Sequence, residues 1–224
     1  MDMIDRRLSE EQRLMRRSCR AFVNDVVIPF IRANWKREWL MEPEQRLPRE
    51  ILEAADRIGI RTLGVPEEFG GVQLEPATEV QTFALISEEI ARGDSGLADK
   101  LVQNWKVSVL LRNLAPRHLQ ERWFPRLFGD PSFLLAHCLT EPRGASDRWL
   151  PYNAPEAAMD TKAVLKGDEW VINGRKQFIS NGYDASLMPS TPTPSRVWAC
   201  CRALRAFLCR ATRPGSLSAV ATRR

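Results

Sequence analysis

Apolar positions recur at helical spacing through residues 1–131 and then change period. After Ser9, apolar or small residues fall at 14, 15, 18, 22, 23, 26, 27 and 30, which places one stripe on one helical face. Ser9-Glu10-Glu11-Gln12 precedes them and reads as a capping box: the Ser9 hydroxyl accepts from the N–H three residues on, and Gln12 reaches back. Pro29 lacks an N–H and its ring crowds the preceding turn, which predicts an end or a kink near Ile28. A second helix is predicted over 48–58, opened by Pro48, stopped by Gly59, with Ile51, Leu52, Ala55 and Ile58 on its buried face. A third is predicted over 76–91 with Val80, Phe83, Ala84, Ser87 and Ile90 on one side, a fourth over 97–114, and a fifth over 116–128.

From residue 133 the pattern suits strands. Residues 133–139 are a short apolar run, 160–165 a second candidate, and Lys166-Gly167-Asp168-Glu169 a hairpin turn into a third strand at 170–172. Asn173-Gly174 is a turn signal, and Gln177-Phe178-Ile179 a fourth strand closed by Ser180-Asn181-Gly182. The expected fold class is therefore α+β. An N-terminal all-α domain (1–131) is followed by a partial antiparallel β-domain (132–187), drawn as a meander. Residues 148–158 form a long Pro-containing loop inside the strand region.

Composition changes this picture at one place. The chain has 224 residues and a net charge of +5, but residues 188–224 hold seven arginines with no Lys, Asp or Glu. The tail is thus at +7, and the body, with 26 bases against 28 acids, at −2. The basic balance belongs to the tail, so nucleic acid is not an expected partner. Of five cysteines, Cys200, Cys201 and Cys209 lie in the tail, and Cys19 and Cys138 stand far apart in the body, which excludes a disulfide framework and suggests a reduced, cytoplasmic protein. No run of about 18 apolar residues exists to span a membrane, and the start has no secretory or transit pattern. The tail is expected to be unstructured or poorly packed, as after a change of reading frame or a truncation near Leu187.

Three stretches carry candidate chemistry. They are Leu63-Gly64-Val65-Pro66-Glu67-Glu68-Phe69-Gly70-Gly71, Leu139-Thr140-Glu141-Pro142 with Ser146-Asp147, and Asn173-Gly174-Arg175-Lys176-Gln177-Phe178-Ile179-Ser180-Asn181-Gly182. Taken alone, Thr140-Glu141-Pro142 reads equally well as a strand-ending turn, Asn173-Gly174 as a hairpin turn, and His137 as a partly buried strand residue. No nucleophile-elbow glycines surround Ser146, so His137, Ser146 and Asp147 are not a hydrolase triad. The seven tryptophans read as core or interface anchors.

In this order and spacing, the three stretches resemble the acyl-CoA dehydrogenase family over about residues 8–187. The resemblance implies an FAD-dependent oxidoreductase that desaturates an acyl-CoA thioester between its α and β carbons. It implies flavin contacts from His137, Leu139, Thr140, Ser146, Phe178, Ile179 and Ser180. Thr140 would donate a hydroxyl to the ring, Phe178 would lie against the isoalloxazine, and Ser180 would reach the reactive nitrogen. Ser146 would also meet the acyl-CoA. Electron-transfer flavoprotein and a homo-oligomer are the implied partners. Arg143 and Ala145 stand where the family often has Gly, and the 148–158 loop is longer than usual. The family's second helical domain carries the catalytic Glu; nothing after Leu187 resembles it, and no catalytic base or metal site is assigned. Two other readings are a non-catalytic remnant or helical interaction module, and an acyl-CoA oxidase of the same fold.

Overall fold

Ser9 caps the first helix through the reciprocal pair that its sequence encodes: Gln12 N–H donates to Ser9 Oγ at 3.1 Å, and Ser9 N–H to Gln12 Oε1 at 3.0 Å. The same Gln12 is buried and donates from Nε2 to Thr82 Oγ1 at 3.0 Å, tying the cap to a helix seventy residues on. The computed structural model describes residues 8–42, 45–72, 74–144, 159–166, 169–190, 193–194, 207–209 and 220–222.

Pro29 does not end the first helix. After α1 (Glu10–Phe22) the chain widens into a π-helical turn over Val23–Val27 and continues as α2 (Ile28–Ala33). Ile28 N–H reaches back to Val23 O, one residue further than in an α-helix. The wider turn makes room for the proline ring and absorbs the missing donor. A short α3 (Arg37–Leu40) precedes α4 (Arg49–Arg57), which Pro48 caps and Gly59 ends in a left-handed conformation at φ 73°. Ile58, expected inside, is 37% exposed, and Ile60 beyond the glycine takes the core position.

The third long helix, α5 (Glu79–Ala91), keeps part of the predicted face, with Ile90 buried and Phe83 packed on the core, but turns Val80 outward. Val80 is 78% exposed, whereas Glu79, Thr82, Leu85, Ile86, Glu89 and Ile90 are buried. The two carboxylates are inside because each meets guanidinium groups. Arg112 donates to Glu79 from both terminal nitrogens at 2.8 and 3.0 Å, and Arg16 and Arg20 both donate to Glu89. Burial works to raise the Glu89 carboxyl, but those arginines outweigh it and hold its pKa below the ordinary value.

Helices α6 (Ser95–Leu114) and α7 (Arg117–Gly129) complete the helical region. Its core joins Cys19, Val23, Val27, Ile51, Ala55, Ile60, Leu63, Ile86, Ile90, Leu101 and Trp105. Among the described residues, no helix is long and apolar enough to cross a membrane.

Two units divide the chain: Met1–Arg112 with His118–Ser132, and Asn113–Arg117 with Phe133–Arg224. In the second, β2 (Lys162–Lys166) and β3 (Glu169–Asn173) form the antiparallel hairpin that the sequence predicts, in register from Lys162 opposite Asn173 to Lys166 opposite Glu169. The rest is not a simple meander. The expected first strand shrinks to β1 (Leu134–Leu135), which pairs in parallel with β4 (Ala185–Ser190). With β5 (Thr193–Pro194), β6 (Phe207–Cys209) and β7 (Val220–Thr222), the orders are β1-β4-β6 and β5-β2-β3-β7. The architecture is an all-helical region followed by a small region of antiparallel and parallel strands. The remaining positions of 188–224 lie outside the described residues.

Gln177-Phe178-Ile179 is not a strand. Phe178 and Asn181 both adopt positive φ, 54° and 63°, and turn the chain through 180–184 into β4. The apolar run has strand composition, but the left-handed residues break the alternation that a ladder requires.

Candidate functional site

The site is built where residues 137–144 and 174–182 lie side by side. Ala136 N–H donates to Leu187 O at 3.0 Å, which extends the β1–β4 pairing up to His137. Ala136 and Cys138 are fully buried, His137 is 9% exposed, and Leu139 and Thr140 emerge half-buried. The chain then reverses through Glu141-Pro142-Arg143-Gly144. Glu141 N–H donates to Gly144 O at 2.8 Å, and Gly144 N–H returns to Glu141 O at 3.2 Å. Pro142 suits the second position of this turn, where a fixed φ is needed.

The second segment leaves β3 at Asn173. Gly174 is required by close approach: a Cβ there would stand 2.4 Å from Thr161 Cα. Gln177 N–H then donates to Thr140 O at 3.0 Å, joining the two segments through their backbones. Phe178 follows, 87% exposed. Ile179 turns inward against Ala136, Cys138, Ala185 and Met188. Ser180 is half-buried, and Asn181 closes the turn by donating from Nδ2 to Leu135 O at 2.9 Å.

Between the segments sits a buried ion pair that the sequence reading quoted in its motifs but gave no role. Lys176 Nζ lies 2.7 Å from Glu141 Oε1, and both side chains are 1% exposed. Lys176 also donates to Leu139 O at 3.0 Å, and Glu141 accepts from the Asp160 and Thr161 N–H groups at 2.6 and 3.0 Å. Burial works to raise the Glu141 carboxyl, but the hydrogen bonds from Lys176, Thr161 and the Asp160 backbone prevail and keep its pKa below the ordinary value. A carboxylate enclosed and bonded in this way does not serve as a proton acceptor. The available signal was one unlike charge in each of two neighbouring motifs, which single-residue reading does not connect.

Arg143 faces solvent and donates twice to Asp160, at 2.7 and 2.8 Å. Cys138 is sealed in the apolar cluster, and burial pushes its thiol up to about 11, so it packs as a thiol and is no nucleophile. Among the described residues no group of three or more His, Cys, Asp or Glu could hold a metal ion. The structure thus gathers His137, Leu139, Thr140, Phe178, Ile179 and Ser180 into one region; Ser146, Asp147 and the 148–158 loop lie outside the described residues.

The acyl-CoA dehydrogenase N-terminal domain family matches residues 9–129. The chain belongs to the acyl-CoA dehydrogenase family. It is similar to (2S)-methylsuccinyl-CoA dehydrogenase of Cereibacter sphaeroides, 30% identical over 81% of this chain and 30% of that protein. It is also 32% identical to cyclohex-1-ene-1-carbonyl-CoA dehydrogenase of Syntrophus aciditrophicus, over 81% of this chain and 39% of the relative. The fold matches glutaryl-CoA dehydrogenase from Mycobacterium smegmatis, solved in complex with FADH2, with a TM-score of 0.71 at 21% identity, over 94% of this chain and 48% of the other. The 224 residues therefore span less than half the length of each of these acyl-CoA dehydrogenase relatives.

Proposed function

We propose that residues 137–182 supply one wall of an FAD site in a protein that desaturates an acyl-CoA thioester between its α and β carbons. The observation that carries this reading is the bonded pair of segments itself. Thr140, whose carbonyl is bonded to Gln177, and Ser180 are half-buried hydroxyl residues, and Phe178 between Gln177 and Ile179 is 87% exposed on a backbone with φ 54°. A bulky residue in that conformation costs about 1–2 kcal/mol, and such strain concentrates where a ligand needs a group held in place. A flat heterocycle with a polar edge fits these residues: the ring of Phe178 covers a face, and the hydroxyls donate to the edge. The bound flavin supplies the hydride acceptor.

Each residue then has a defined task. Thr140 and Ser180 donate hydrogen bonds to the cofactor, Phe178 lies against its face, and Ile179 backs the segment from the apolar cluster. His137 and Leu139 run alongside, and Ser146 serves cofactor and acyl-CoA together. Glu141 is excluded as the base by its enclosure, so proton removal falls to a residue outside this region. Acyl-CoA as substrate, electron-transfer flavoprotein as redox partner and assembly into a homo-oligomer accompany this reading. The free, buried thiols of Cys19 and Cys138 suit a reduced, cytoplasmic setting.

The test is titration of the purified 224-residue chain with FAD, followed by flavin fluorescence, and an assay with acyl-CoA. Weak FAD binding without turnover is expected. Thr140→Val and Ser180→Ala each remove one hydrogen bond and should weaken FAD by about three- to tenfold. A wild-type chain that leaves the flavin signal unchanged, or variants that bind as wild type does, would contradict the reading.

A further inference from the structure

We infer that Glu141 and Lys176 are positioning residues that set the spacing of the two cofactor-contact segments. This inference rests on the flavin reading and adds residues that touch no ligand. Three stretches of chain converge on the pair. Lys176 Nζ reaches Leu139 O at 3.0 Å, Glu141 Oε1 at 2.7 Å and Met159 Sδ at 3.4 Å. Glu141 in turn holds the Asp160 and Thr161 N–H groups. On one side the pair is next in sequence to Thr140; on the other it is two residues from Phe178.

The geometry separates this role from general packing. The direct backbone joint between the segments is Gln177 N–H to Thr140 O, and Glu141 O accepts more weakly from Gln177 Nε2 at 3.4 Å. Further along, Asn181 Nδ2 bonds Leu135 O and Ile179 packs on Ala136 and Cys138, but neither contact reaches residues 139–141, which face Gln177. Lys176, bonded to both Leu139 and Glu141, brackets Thr140 from either side and fixes which residue faces Gln177. The backbones of Thr140 and Phe178 are therefore held in one register. Apolar side chains filling the same volume would keep the unit folded but carry no directional bond to set that register.

The experiment compares wild type with Lys176→Met, the neutral double variant Glu141→Gln/Lys176→Met, and Lys162→Met, an exposed lysine on β2. The double variant leaves no unpaired buried charge, so it costs the unit less than Lys176→Met does. Two quantities are read: amide exchange at Gln177 and the FAD dissociation constant, corrected for the folded fraction by circular dichroism. Exchange at Gln177 should quicken and FAD should weaken, each by about tenfold or more, in the double variant and not in Lys162→Met. A folded double variant with wild-type exchange and wild-type FAD affinity overturns the inference and leaves the flavin reading intact. A wild-type chain that binds no FAD overturns the flavin reading and the inference with it.

Discussion

Trp105→Ala is expected to remove about 3–5 kcal/mol from the helical region. Trp105 is 1% exposed and stacks on Phe83 with ring centroids 5.4 Å apart and planes 18° from parallel. Its Nε1 donates to Ile60 O at 2.5 Å. Alanine therefore opens a cavity in a close-packed core and also leaves a buried carbonyl without its donor, and both effects act in the same direction. The surroundings have little room to collapse, since Gly64 is packed so tightly that a Cβ there would stand 3.2 Å from both Phe83 and Val109. Denaturant unfolding followed by helical circular dichroism should show a lower midpoint with an unchanged slope. Trp39, 76% exposed, is the control: Trp39→Ala should shift stability by no more than about 0.5 kcal/mol. Equal effects at the two tryptophans would contradict the core as described.

Lys176→Met should cost the sheet unit about 3–5 kcal/mol at neutral pH, because it leaves Glu141 buried without its partner. The pH dependence follows from the direction of the Glu141 shift. In the wild type that carboxyl lies below its ordinary pKa. Its contribution is therefore full above the ordinary carboxylate range and is lost as pH falls through the depressed native value. In the variant the attraction of Lys176 is gone, while burial and the Asp160 and Thr161 N–H bonds remain, so the carboxyl sits higher than in the wild type. Protonation then costs the variant less than it costs the wild type, so the gap between them should narrow as pH falls. Glu89 is shifted in the same direction in both proteins and cancels from the difference. Stability curves at neutral and acidic pH decide the matter; a gap that is constant or widens in acid contradicts the assignment of Glu141 as the charged partner.

Elements governed by local chemistry were legible in the sequence. The Ser9–Gln12 box, Pro48 and Gly59 around α4, and the hairpin between β2 and β3 all follow from neighbours in the chain. What escaped depended on distant partners. Val80 looks like a core residue, yet it is exposed, while Glu89 is drawn inside by Arg16 and Arg20, about seventy residues away. Pro29 predicts an end or a kink near Ile28, and which of the two occurs depends on the π-helical turn before it. Residues 177–179 have strand composition, yet the positive φ of Phe178 and Asn181 is set by the turn into β4 and by the Asn181 bond to Leu135 O. The parallel β1–β4 pair is likewise non-local. For the site, the two motifs were legible as motifs. Their joint through Lys176 and Glu141 was not, because burial of an ion pair is a property of two segments at once.

The central claim is that residues 137–144 and 174–182 together form a cofactor wall. Backbone hydrogen exchange of the 224-residue chain with and without FAD tests it most directly. The account predicts slowed exchange in both segments together, including Gln177 and the residues around Thr140, with the α1 and α4 amides unchanged. Protection confined to one segment, or spread evenly over the helical region, would contradict it.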